Sequence, residues 1–226
     1  MFTRIVTTAV FAGFLTGLVA AVLQFWQVQP ILLHAELYED GTLVHFGAGA
    51  TGATAHPELP GLELVRDGLS VLFTALNYTA YALILTAVVA LASDRGWMEI
   101  TARQGVILGV AGFAAVQMAP AMGLPPELPG VAAPEVGVRQ VWWYGCVAAT
   151  GLGLGLFAFS RNVAFWVAGV VLIALPHLIG APEPDTFAGP TPPEVAAHFA
   201  SRALGVGLAV WAILGTLVGY FWSREA

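Results

Sequence analysis

Residues 5–28, IVTTAVFAGFLTGLVAAVLQFWQV, contain no charged side chain. At about 1.5 Å per residue an α-helix of this length crosses the roughly 30 Å hydrocarbon core of a bilayer. Nothing there can satisfy a backbone N–H or C=O except the segment itself, so the stretch is helical or it does not enter lipid. The pattern recurs. Apolar spans can be drawn at about 5–28, 68–92, 104–122, 140–159, 163–180 and 202–222. The expected fold is an all-α integral membrane protein with six predicted transmembrane helices, one polytopic membrane domain over 1–226. A cleavable signal has a shorter apolar region, of roughly 7–15 residues, so the first span is expected to be retained.

The connections alternate in character. Those after the second and fourth spans are short, whereas 29–67, the stretch after the third span, and 181–201 are richer in proline and acid. Arg4, Arg95, Arg103, Arg161 and Arg224 fall on one side of this topology, and Arg66, Arg139 and Arg202 on the other. The positive-inside rule then places both termini in the cytoplasm and makes 29–67 and 181–201 extracytoplasmic loops. Asp94, Glu99 and Glu225 are inside; the remaining acids, from Glu36 to Glu194, are outside. His34, His45, His56, His177 and His198 belong to the outer face or its boundary. The outer side is therefore acidic and histidine-bearing.

Other functions are excluded by what the chain lacks. There is no lysine and the net charge is −6, so no basic patch exists to neutralise nucleic-acid phosphates. No GxxxxGK[ST] sequence is present, so the chain itself is not expected to hydrolyse ATP. Cys146 stands alone in an apolar run and reads as a small buried hydrophobe. The pairs Gly105/Gly109, Gly151/Gly155 and Gly215/Gly219 have the spacing that lets membrane helices approach closely. Trp142, Trp143 and Tyr144 suit the headgroup level, in contact with membrane lipids.

Proline punctuates the odd spans. Pro120, in QMAPAMGLPPELPG, should bend or stop the third helix, because it lacks a donor and clashes with the preceding turn. Aligning Pro120 with Pro176 sets Pro126 opposite Pro182 and Glu127 opposite Glu183, with Pro30 and Glu36 as a looser third copy. Three helical hairpins of similar plan are expected, with a site where these breaks meet. Imidazole and carboxylate are the ligands that borderline divalent metals accept. Glu36, Glu127, Glu183, His177 and His34 are accordingly the candidate metal ligands. His177 follows Pro176 near membrane depth, where an ionisable group faces protein or a cavity; a hydrogen bond to a backbone carbonyl freed by the proline is its structural alternative. His34, His45 and His56 recur every eleven residues, a spacing that fits no known zinc motif; they read equally as an incidental part of a solvated acidic loop. Glu194 and His198, four apart on a helix, could share a cation or simply pair with each other.

PILLHAELYE after the first span, MAPAMGLPPELPG, VRQVWWYG and LPHLIGAPEP together resemble the CbtA family of predicted cobalt transporter subunits, in order and spacing from first span to last. The resemblance implies a bacterial inner-membrane permease subunit for Co²⁺ uptake linked to cobalamin synthesis. It also implies a small one-span partner of the CbtB type with a histidine-rich end. Many relatives carry a histidine-dense first outer loop; GTLVHFGAGATGATAHPELPG holds only His45 and His56. Two functions follow as expectations: a permease for a divalent transition metal, or a non-transporting scaffold for a partner that moves the metal. No bound cofactor and no catalysis are expected, Co²⁺ being the transported ligand.

Overall fold

A computed structural model describes residues 1–47 and 54–224, whose regular structure is helical with no strand among them. Residues 48–53 and 225–226, Glu225 among them, lie outside the described residues. The helices are α1 (Phe2–Gln27), α2 (Gln29–Glu39), α3 (Leu64–Asp94), α4 (Ala102–Phe113), α5 (Ala119–Ala121), α6 (Val136–Phe159), α7 (Val163–Ile179) and α8 (Pro193–Arg224), with a π-helical turn over Ala114–Met118 joining α4 to α5. Five of these stretches are long and apolar enough to cross a membrane: α1, α3, Ala102–Ala121, α6 and α8. The predicted fifth span, α7, has 17 residues and rises only about 25 Å, short of a full crossing.

The helix ends explain where the sequence reading of the loops fell short. Glu63 N–H donates to Asp67 Oδ2 at 2.9 Å, so α3 begins at Leu64, ahead of its apolar run. Pro193 and Glu194 sit in the first turn of α8, where a missing donor and a negative charge are both tolerated. Helix α8 therefore reaches well into the stretch expected to be a loop. Thr101 caps the start of α4, its hydroxyl accepting from Gln104 N–H at 3.5 Å and donating to Gln104 Oε1, and Asn162 Oδ1 accepts from Ala164 N–H at 2.9 Å to start α7. The expectation for Pro120 is met. In a regular helix its ring would clash with the carbonyl four residues back; the backbone instead widens into the π turn just before it, and the helix ends at Ala121.

The described chain forms two compact units. The first comprises 1–23, 62–117 and 206–224. Here α1 meets α3 through Gly13 and Gly17, which lie against the backbone of Thr79 and Ala75. Gly105 and Gly109 of α4 lie against Gly215 and Trp211 of α8, and Gly219 against Thr101. The Arg4 guanidinium lies 4.0 Å from the Trp222 ring centroid and donates to the Trp222 carbonyl, tying the start of α1 to the end of α8.

The second unit comprises 24–47, 54–61 and 118–205. Its helices α6 and α7 meet through Gly153 and Gly169. A Cβ at Gly151 or Gly155 would meet nothing within 4 Å, so that glycine pair is not the packing seam its spacing suggests. The closest glycine-mediated pairings are thus α1 with α3, α4 with α8, and α6 with α7. Only the first of these follows the expected hairpin plan.

Candidate functional site: a histidine-lined cavity

In the second unit, a cavity of about 570 Å³ is lined by His34, His45, His56 and His198, four of the chain's five histidines, together with Glu194. Each wall has a local cause. Pro30 occupies the first turn of α2, where its missing donor costs nothing, so the chain resumes as a short helix directly after α1. That helix directs Ile31, His34 and Tyr38 into the cavity. At its end Gly41 takes φ +81°, and Leu43 N–H returns to the Leu37 carbonyl at 2.7 Å. A side chain at Gly41 would be strained, so the reversal depends on glycine. The reversal folds His45 back over Tyr38.

The rings form a connected row. His34 and Tyr38 centroids are 5.5 Å apart, Tyr38 and His45 6.4 Å, and His45 and Phe46 4.4 Å. Tyr38 is only 2% exposed, which makes it the post on which both imidazoles rest. Burial holds the His34 pKa below the ordinary histidine value. Its ring therefore stays neutral, with a free lone pair, to lower pH than an exposed histidine. His34 Nε2 is buried and has no hydrogen-bond partner among the described residues. At the C-terminal end of α2, Thr42 N–H donates to Asp40 Oδ1 at 2.8 Å, and Thr42 holds that carboxyl below its usual pKa.

The opposite wall is the first two turns of α8. Glu194, Val195 and His198 line the cavity from there. Arg202 Nε donates to His198 Nε2 at 3.2 Å, and the same guanidinium donates to Gln27 Oε1 at the end of α1. His198 thus pairs with Arg202 in addition to facing Glu194 one turn earlier.

The other predicted ligands lie elsewhere in this unit. The two matched proline breaks do meet: Ala132 N–H donates to the Ala188 carbonyl at 2.8 Å, and Gly123 lies against Ala181 and Trp142. Their carboxylates, however, do not converge. Glu127 is ion-paired with Arg139 beside a second cavity of about 280 Å³ that Trp143 and Tyr144 also line. Glu183 is exposed, and Glu36 is half-buried on α2 outside the lining of the histidine cavity. Among the described residues no three His, Cys, Asp or Glu side chains stand close enough to hold a metal ion, so neither Glu36, Glu127, His177 and Glu183 nor the histidines of the cavity with Glu194 form a preformed ligand set.

His177 packs edge-on against Trp142, with centroids 6.0 Å apart. The alternative, a bond to a freed carbonyl, is not made by His177 Nε2, which is buried without a partner among the described residues. The Pro176 carbonyl instead accepts from Trp142 Nε1 at 3.2 Å and from Gly180 N–H at 3.1 Å. Trp142→Phe should cost about 1 kcal/mol, the net worth of that indole bond, and lower the thermal midpoint by a few degrees. An unchanged midpoint would mean that the bond contributes nothing to holding α6 on α7.

From sequence, Glu194 and His198 were legible as a pair on one helix face and His34, His45 and His56 as a spaced series, but nothing joined the pair to the series. The eleven-residue spacing of His34, His45 and His56 was a real signal with no motif to interpret it. Arg202 gave no signal beyond its charge.

What the cavity presents is imidazole side chains of the kind that borderline cations accept, set around one space without a preformed ligand set. A search of curated proteins and one of solved structures returned no match. A family model described as a probable cobalt transporter subunit, CbtA, matches residues 2–223, nearly the whole length. On that match, and with its apolar crossing helices, the chain belongs to the CbtA family of probable cobalt transporter subunits.

Proposed function

We propose that this chain is the permease subunit through which a divalent transition metal, Co²⁺, enters the cell for cobalamin synthesis, and that the histidine-lined cavity is where the ion is first captured. The observation that carries the reading is the gathering of His34, His45, His56 and His198 around one cavity. Co²⁺ is a borderline ion that accepts imidazole nitrogen, and the acidic outer connections raise its local concentration. A volume of about 570 Å³ admits an ion with much of its water shell. The histidines then exchange for a few waters at a time instead of forming a closed cage. That looseness suits transport, because an ion held too tightly is not released inward.

The role is transport and not catalysis. Both termini face the cytoplasm of a bacterial inner membrane, which puts the cavity on the outer side. A one-span partner with a histidine-rich end, of the CbtB type, would deliver ions to it. The test is accumulation of radiolabelled Co²⁺ in a cobalt-uptake-deficient cell that expresses this chain with the partner. Uptake well above that with the partner alone is expected. Equal uptake with and without this chain would overturn the permease role and leave it a scaffold.

A further inference from the structure

One guanidinium joins the α8 wall of the histidine cavity to the last residue of α1, just ahead of the α2 wall. Arg202 lies on α8, one turn beyond His198, and reaches Gln27 at the end of α1, immediately before α2. Its Nε proton is directed at His198 Nε2. Accepting there places the His198 proton on Nδ1 and commits the Nε2 lone pair. That lone pair is what a metal ion needs. A positive charge beside the cavity also repels an incoming cation.

Building on the capture role assigned above, we propose that Arg202 is a positioning residue that competes with the divalent cation for His198, keeping affinity low enough for the ion to leave the cavity. When the ion takes the Nε2 lone pair, the guanidinium is displaced and the bond to Gln27 is released with it. When the ion departs, Arg202 returns. The geometry supports this because the two bonds come from one side chain: His198 cannot turn its Nε2 to a metal while Arg202 keeps its present position. His34, with a buried and partnerless Nε2, carries no such restraint and would bind first.

The experiment is Co²⁺ titration of the purified full-length chain, followed by calorimetry and by the visible absorption of bound Co²⁺. Arg202→Gln keeps an amide that can hydrogen-bond while removing the charge; Gln27→Ala removes only the second anchor. Arg202→Gln should bind Co²⁺ about tenfold more tightly than wild type, as expected for loss of one charge-assisted bond and its repulsion. Gln27→Ala should tighten binding by a smaller factor. In uptake assays Arg202→Gln should lower both KM and the maximal rate, a split that mere structural damage does not produce. Binding in both variants equal to or weaker than wild type would overturn the role of Arg202 while leaving capture intact. If neither wild type nor variant binds Co²⁺, the capture reading itself fails, and this inference with it.

Discussion

Gly105→Leu is expected to prevent the first unit from packing, and Gly215→Leu to do the same. A Cβ at either position would run into the other helix's backbone, at the carbonyl oxygen of Gly215 or Gly105 respectively. Backbone cannot step aside as a flexible side chain can. Overpacking a well-filled interior costs roughly 1–3 kcal/mol and sometimes more, and a whole leucine between two backbones belongs at the upper end. That is a large share of a membrane domain's margin of stability, so the variants should elute as aggregate or fail to accumulate. Gly151→Ala and Gly155→Ala are the controls. Both face open space, and each should stay within about 0.5 kcal/mol of wild type, as surface changes usually do. The check is thermal unfolding of the detergent-solubilised protein with size-exclusion profiles. Equal damage at Gly151 and Gly105 would contradict the seam described here.

Replacing His34, His45, His56 and His198 together by alanine should abolish saturable Co²⁺ uptake while leaving the crossing helices in place. The affected side chains lie in α2, the following turn and the start of α8, away from the glycine seams. Among single changes, His34→Ala should be the most severe, raising KM at least about tenfold, the effect seen when even an outer partner of a metal ligand is lost. His198→Ala should do less, because its Nε2 is already engaged by Arg202. Concentration-dependent uptake measures both. The reverse ranking would mean that the α8 wall captures the ion and that the buried state of His34 is incidental.

Much of this fold was legible from sequence because the membrane imposes a simple constraint. An uncharged run must be helical, so 5–28 corresponds to α1 and 140–159 lies inside α6. The helix ends were not legible from apolarity. Leu64 and Pro193 start helices in polar sequence, since a carboxylate in the first turn satisfies or balances the free N–H groups there. Glycine spacing was only partly informative: Gly105/Gly109 and Gly215/Gly219 face each other, whereas in α6 the residue that packs is Gly153, between the glycines of the motif. Spacing marks a face but does not say which face meets a neighbour.

The site divides in the same way. His34 was identifiable as a ligand candidate, and the two proline breaks do lie together. Glu127 is drawn to Arg139, a pairing across a turn that no local pattern specifies. His198 reaches the cavity only because α8 begins ahead of its apolar run, a consequence of the same misjudged helix start.

The central claim is that imidazoles of this cavity take up the ion, and X-ray absorption at the cobalt edge of the Co²⁺-loaded protein tests it most directly. Two or more imidazole nitrogens per cobalt, lost in the four-histidine variant, are predicted. A shell of oxygen alone, the same in wild type and variant, would contradict it.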